Sequence, residues 1–437
     1  MARALILALL FSSAALARQL TLDDALKLGL ERNTDLRKQI LLSLSAEQDR
    51  VLARANILPR LDFNASASRT RAQTPEGERV IPGIGAVTIP SSLTFSNNYT
   101  AGLNLRQLVF DGGKWWNNLS AADLGVAASQ AQVDEQRLQI TYLIEQRFYE
   151  LVRAQRQLQV LADAAQRSRD QADFTQRLFE GGRATQADVY AARANRDNDE
   201  IIRLGQERAV ELARADLSAS IGLDPGEPLA VVEGSRMFSE PAAPPETGPA
   251  VQRALANRPS LKAFALTLDS NRKLVSAAKG DYWPVVSLSG SYGRNAPIFS
   301  QFDDPNLGNS SQLSGSVNLT WNIFGGFATD ATVRKAELTA LMSETDLLAG
   351  RRGVASDVEK AVAQLAAARA QARVAVQTEQ NANETLRLAR TRQEVGVGTQ
   401  LEVRDAELKV TQAALARVGA LVDGREAEAA LRRAQGG

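Results

Sequence analysis

The chain has 437 residues, with 51 Lys and Arg against 50 Asp and Glu, and neither Cys nor His. Disulfides, thiol or imidazole catalysis and most transition-metal sites are thereby removed, so neither an enzyme nor a cofactor is expected. The even charge balance lacks the basic surplus that nucleic-acid binding draws on.

Residues 1–17 begin with Met1-Ala2-Arg3, continue through an apolar run from Ala4 to Phe11 and end on Ala15-Leu16-Ala17. This is the pattern of a secretory signal peptide, and its apolar core is too short to span a bilayer. A first structural repeat is expected over 18–223. It opens on a helix at 22–56, followed by two alternating segments. At 61–68, Leu61, Phe63, Ala65 and Ala67 oppose Asp62, Asn64, Ser66 and Ser68. At 93–105, Leu93, Phe95, Tyr99, Ala101, Leu103 and Leu105 oppose polar or small residues. The stretch 71–92 between them holds three prolines and reads as an exposed loop without structure of its own. Trp115 and Trp116 follow the second segment and suit a membrane–water boundary. No proline occurs from 91 to 224, and helix formers dominate, so helices are predicted at 114–180 and 186–220. The first would be roughly 100 Å long at 1.5 Å per residue. Ile144, Leu151, Leu158, Ala165, Ala172 and Phe179 recur along it every seven residues, which argues for coiled-coil packing.

A proline-rich linker at 224–249 reads as extended and surface-running, and a second repeat covers 250–437. Its helices are predicted at 250–281, 327–394 and 400–433, its strands at 286–292 and 313–323. In the last, Leu313, Gly315, Val317, Leu319, Trp321 and Ile323 alternate with Ser314, Ser316, Asn318, Thr320 and Asn322.

The two halves match one another. Ala25 aligns with Ala250, Pro59 with Pro284 and Phe63 with Leu288, a shift of 225. Further on, Phe110 aligns with Phe324, Glu145 with Glu359, Gly182 with Gly396 and Thr185 with Thr399, a shift of 214. The whole change of register falls between residues 70 and 98, and the pattern is that of a two-fold duplication.

Period-two alternation with one polar face means a sheet wet on one side. Four strands leave two bare edges, which invite pairing with other copies and which lipid could not satisfy. Segments of about ten residues, apolar outside and polar inside, with Tyr99, Trp283 and Trp321 near their ends, fit a transmembrane barrel closed by several chains.

These features together resemble the TolC family of outer-membrane efflux proteins over essentially all of the mature chain. "LVFDGG" (108–113) and "NIFGGF" (322–327) look like its strand-to-helix exits, and "LSASIGLDPGEPL" (217–229) is similar to the end of its first repeat. "FEGGRATQADVYAARA" (179–194) and "EVGVGTQLEVRDAE" (394–407) look like its two helix-tip turns. The resemblance implies a mixed α and β membrane protein with an internal two-fold repeat. Four strands per chain would enter a trimeric 12-stranded barrel in the outer membrane, continued by a long helical coiled-coil tunnel in the periplasm. It implies a passive exit duct of a tripartite efflux pump or type I secretion system. The partners would be a periplasmic adapter and an inner-membrane pump of RND, MFS or ABC type. The alternative is a periplasmic coiled-coil adapter of an export system.

Site residues follow from the same resemblance. Gly182, Thr185, Gly396 and Thr399 would form the tips that meet the adapter. Glu402 and Asp405, three apart on one helix face, match an acidic ring at the narrow periplasmic mouth. Asp188 matches an acid that helps lock the closed tip. The chain departs from the pattern in carrying Gln393 and Gly398 where the lock's tyrosine and arginine stand, leaving Arg183 or Arg404 as replacement cations.

Overall fold

The computed structural model describes residues 18–224, 227, 229–234, 237–301 and 311–437. The signal peptide expected at 1–17, and residues 225, 226, 228, 235 and 236 of the linker, lie outside the described residues. The first copy contains β1 (Arg18–Leu20), α1 (Leu22–Arg32), α2 (Thr34–Ala55), β2 (Arg60–Thr74), β3 (Gly77–Ile81), β4 (Gly85–Ile89), β5 (Ser92–Phe110), α3 (Lys114–Glu180) and α4 (Gln186–Ser220). After it come β6 (Leu229–Val231), α5 (Thr247–Asn257), α6 (Pro259–Lys279), β7 (Val285–Ala296), β8 (Ser311–Thr320), α7 (Ala328–Glu394) and α8 (Gln400–Gln435). The chain divides into two compact units. One comprises residues up to Ser43, Ala128–Phe264 and Asp346–Gly437, the other Leu44–Ala127 and Ala265–Thr345.

The first unit is helical and built on small and branched side chains. Its main core gathers Ile144, Phe148, Leu151, Leu217, Ile221 and Val422, all essentially inaccessible to solvent. Each such burial contributes about 1.5–3 kcal/mol. A second cluster joins Ala250, Ala254, Val358, Leu365 and Leu431. The seven-residue ladder on α3 holds for Ile144, Leu151, Ala165 and Ala172, which are buried, and Leu158 packs against the core. Phe179 breaks it: near the end of α3 it is exposed.

Three expectations for the shorter helices and the linker need correction. The helix expected at 22–56 breaks at Asn33, whose side-chain oxygen accepts the amides of Asp35 (2.9 Å) and Leu36 (3.1 Å) and so starts α2 afresh. The helix expected at 250–281 breaks at Arg258. Proline at 259 disfavours helical backbone at the residue before it and is itself suited to the first helical position. The linker is not simply an extended surface segment. Its β6 pairs in parallel with β1, from Arg18 opposite Leu229 to Leu20 opposite Val231. It also delivers Leu229 and Met237 to the main core.

The second unit carries an antiparallel sheet in the order β2-β5-β7-β8. The stretch 71–92 is structured, contrary to expectation. β2 continues to Thr74, and β3 pairs with β4 as a separate hairpin. Its prolines punctuate rather than forbid the strands. Pro82 and Pro90 stand just past the ends of β3 and β4, and left-handed Gly83 (φ 90°) and Gly85 (φ 97°) make the turn. The alternation read at 313–323 extends beyond the strand, which ends at Thr320. The two copies pair identically: Leu61 faces Leu105, and their counterparts Val286 and Leu319 face each other.

Candidate functional site: a one-sided sheet and two helix turns

The sheet has two chemically opposite faces. Phe63, Leu103, Tyr292 and Leu313 form one unbroken row across all four strands, and every one of them is exposed. The adjacent row on the other face is Asp62, Asn104, Ser291 and Ser314. Hydroxyls meet across strands there: Ser66 and Thr100 at 2.7 Å, Ser291 and Ser314 at 2.7 Å, Ser289 and Ser316 at 3.0 Å. Asn318 donates to Ser289 at 2.6 Å. The polar face thus satisfies its own side chains while presenting oxygen and amide groups to water. The apolar face is mostly open: Phe299 meets Tyr99 edge-on at 5.6 Å, and Arg69 lies over the Phe95 ring at 5.0 Å. Beside the sheet, Trp115 and Trp116 stack with ring centroids 3.9 Å apart.

In the helical unit, both predicted turns form as the sequence implies. Gly182 (φ 70°) and Gly396 (φ 81°) take the left-handed conformation. Arg183 N donates to Leu178 O (2.7 Å) and Val397 N to Arg392 O (3.0 Å), the six-to-one bonds that close a helix C-terminus. Thr185 then caps α4, and Thr399 caps α8.

The caps differ. Thr185 and Asp188 form a reciprocal box: Thr185 Oγ1 accepts the Asp188 amide at 3.2 Å, and Asp188 Oδ2 accepts the Thr185 amide at 2.9 Å. Those bonds from the Thr185 backbone and hydroxyl hold the Asp188 carboxyl below the usual aspartate range. Thr399 Oγ1 accepts the Glu402 amide at 3.2 Å, but Glu402 reaches instead toward Arg392 at 3.8 Å. Asp405 is exposed and pairs with Lys409, one turn on, at 2.6 Å. Gly398 lies close against the end of α7. A Cβ there would lie 2.9 Å from the Gln393 nitrogen and 3.0 Å from the Arg392 carbonyl carbon, so the turn as built closes too tightly for an arginine.

Of the two cations expected as replacements, Arg183 is exposed at the turn, and Arg404 is committed elsewhere. Arg404 donates to Asp199 at 2.8 and 3.0 Å and to Ser168 at 2.9 Å, tying α8 to α4 and α3. Asp188, Arg404 and Glu407 do line one shallow cavity, which Glu402 and Asp405 do not. Sequence reading missed Asp199 and Glu407, both buried. The available signal was a charge within an apolar stripe: Asp199 shares its helix face with Val189 and Val210, and Glu407 adjoins Ala406 between Val403 and Val410.

A family model described as outer membrane efflux protein matches residues 25–223 and 250–437. The chain belongs to the outer membrane efflux protein family. It is 26% identical over 364 residues to protein CyaE of Bordetella pertussis, covering 80% of this chain and 70% of that one. It is 23% identical over 384 residues to outer membrane protein TolC of Vibrio cholerae, covering 85% and 82%. The fold is shared with the CmeC outer membrane channel of Campylobacter jejuni, at a TM-score of 0.79 and 19% identity over 95% of this chain and 85% of that one.

This outer membrane efflux protein is therefore an exit duct of the outer membrane, in a family of transport proteins. The alternative of a periplasmic adapter falls away, because the match covers both copies, strands included. No helix among the described residues is long and apolar enough to cross a membrane, and the exposed apolar face of the sheet is the surface that lipid would accept.

Proposed function

We propose that three copies assemble, each contributing its four strands to a 12-stranded barrel in the outer membrane, with the helical part in the periplasm. The observation that carries this reading is the sheet, apolar and mostly open on one face and hydroxyl-lined on the other, with β2 and β8 left as edges. A hydrocarbon environment tolerates no bare edge, and a ring of copies removes both edges by symmetry. The mature protein would then comprise a first repeat over 18–223, a linker over 224–249 and a second repeat over 250–437. It would conduct passively, from an inner-membrane pump of RND, MFS or ABC type and a periplasmic adapter, in efflux or type I secretion. Gly182, Thr185, Gly396 and Thr399 would present the turns to the adapter. Glu402 and Asp405, with Asp188 on the other turn, would set an acidic constriction.

The facing of the strands is the direct test. Val317→Arg or Leu319→Arg should weaken insertion by about 2–4 kcal/mol near the bilayer midplane, while Asn318→Arg and Thr320→Arg insert normally. Equal insertion of both sets in a membrane-folding assay would refute the assignment. For the constriction, Glu402→Gln with Asp405→Asn should lower cation-over-anion selectivity in planar bilayers. Unchanged selectivity would leave these two as surface acids paired with Arg392 and Lys409.

A further inference from the structure

The polar face of the sheet is uncharged except in one place. Among the described strand positions that share this face with Asn104 and Ser291, only Arg60 and Asp62 on β2 and Arg106 on β5 carry charge. β2 opens on Arg60, and Arg106 lies in the last part of β5, so the charges stand at the end of the sheet that leads into α2 and α3. Arg60 is directly opposite Arg106, and the same row continues through Ser289 to Ser316. Asp62 Oδ1 accepts from Arg60 Nε at 3.0 Å. The exposed Arg106 guanidinium has no acid or acceptor of its own among the described residues.

The fold does not ask for this pair. Like charges directly opposite one another weaken a sheet. The second repeat makes the same pairing without them: Val285, the counterpart of Arg60, faces Thr320, the counterpart of Arg106, and Ser287 stands where the first repeat has Asp62. The duplicated backbone therefore closes with a neutral pair, and the arginines of the first repeat are an addition to it. Two arginines and one aspartate leave one uncompensated positive charge per copy. The surroundings suit a solute. Both arginines line a hollow of about 600 Å³ on the polar face, together with the amides of Asn64 and Asn104 and the hydroxyls of Ser291 and Ser314. No acid but Asp62 lines it.

We propose that Arg106, with Arg60 beside it, is a binding site for multivalent oxyanions on the inner wall of the conduit. This inference rests on the duct proposed above and adds to it a site opposite in sign to the acidic residues of the helix turns. A guanidinium presents a planar fork of donors that matches two oxygens of one anionic group. Asp62 engages Arg60 through Nε only, so both side chains keep Nη donors for a ligand. The opposed arginines bring two such forks to one place, and an anion between them relieves the repulsion that the empty sheet bears. The site is open to water and carries an aspartate beside it, so it releases what it takes, as conduction requires. A neutral or cationic solute finds no comparable partner on the rest of this face, which offers hydroxyls and amides alone. The arginines thus favour anionic cargo at the sheet.

Full-length protein in planar bilayers tests this, with inorganic pyrophosphate as the probe. The long helices are too polar to cross the bilayer, so they stay on the side of addition and the sheet opens to the other. Pyrophosphate added on that other side should block the current of the wild type in a concentration-dependent way. Arg106→Thr, which places in the first repeat the residue that the second repeat uses, should raise the half-blocking concentration about tenfold. Arg60→Val with Arg106→Thr, the full pair of the second repeat, should abolish the block. The unfolding midpoint of Arg106→Thr should not fall, because a like-charge pair is removed; a clear fall would make Arg106 a structural residue and overturn the site. Equal block of the wild type and the double variant, or a conducting wild type that pyrophosphate does not block, would overturn the site while the duct stands. If the wild type opens no conducting path at all, the proposed duct falls and the site with it.

Discussion

The two repeats build the same helical joint with different chemistry. In the first, α1 passes to α2 at Asn33, whose Oδ1 accepts the Asp35 amide while its Nδ2 donates to Ser220 O at the end of α4 (3.1 Å). In the second, α5 passes to α6 at Arg258, the counterpart of Asn33, and Arg258 Nη1 donates to Arg433 O near the end of α8 (2.7 Å). Arginine cannot accept a hydrogen bond, so the Ser260 amide, counterpart of the Asp35 amide, turns to Glu135 on α3 (3.3 Å). Glu135 in turn holds Arg258 through two bonds of 3.0 and 2.7 Å. Even the close approaches repeat. A Cβ on left-handed Gly222 would lie 2.9 Å from the Arg32 Cβ, and one on Gly436 would lie 3.0 Å from the Asn257 carbonyl. A duplicated backbone thus preserves the requirement that donors and acceptors at a buried helix break be satisfied. It does not preserve which side chain does it. The first joint joins three helices; the second recruits a fourth, α3, and buries an ion pair.

That contrast predicts unequal responses to truncation. Glu135→Ala would leave the Arg258 guanidinium, whose side chain is 6% exposed, without its counter-charge, and should cost about 3–5 kcal/mol. Asn33→Ala removes a neutral cap and should cost about 1 kcal/mol. Denaturant midpoints of the two variants in detergent decide it: equal losses would mean that the joints are energetically alike despite their chemistry. Replacing Glu135 and Arg258 together by apolar residues should recover most of the larger loss, because a buried pair is costly to halve but often neutral to remove.

Acidity offers a finer and smaller discrimination. Burial pushes the Glu135 carboxyl up, but the hydrogen bonds and charge of Arg258 outweigh it, and the net shift is below the ordinary value of 4.5. A depressed acid contributes stability that is present above its unfolded value and lost as pH falls through its folded one. The second joint should therefore loosen below about pH 4.5, and Glu135→Gln should remove that dependence. Glu145, on the same helix, behaves oppositely. Burial raises it, and Arg432, at 2.7 Å, opposes this only in part. Its contribution is present below 4.5 and lost as pH rises through the raised value. Glu145→Gln should flatten the unfolding midpoint on the high side of 4.5, where Glu135→Gln has no effect. A single profile shared by both variants would contradict the assignment.

Much of this molecule could be read from its residues. The boundaries of α3, α4, α7 and α8 fall within two residues of expectation, because long proline-free runs with a glycine and a threonine at the turn carry their own start and stop signals. The facing of the strands was equally legible, since a period of two leaves each side chain only one side to occupy. Arg258 was a readable break, as Pro259 follows it. Asn33 was not: asparagine is tolerated inside helices, and only the nearby Ser220 carbonyl makes it a joint. At the turns, the three-residue spacing of Thr185 and Asp188 is that of a capping pair, a local pattern, whereas the partnership of Arg404 with Asp199 was hidden. Those two lie on helices from different repeats, and no local rule couples them.

What the sequence by itself determined was therefore most of what neighbours a few residues apart set, the break at Asn33 and the β3–β4 hairpin excepted. That includes helix and strand periods, turn glycines, caps, the duplication and the two faces of the sheet. Only the tertiary structure decided where β6 finds β1, which acid satisfies Arg258 and which carboxylate takes Arg404. These depend on groups more than a hundred residues apart meeting in a buried place. There the cost of an unsatisfied charge or amide, rather than any local propensity, selects the partner.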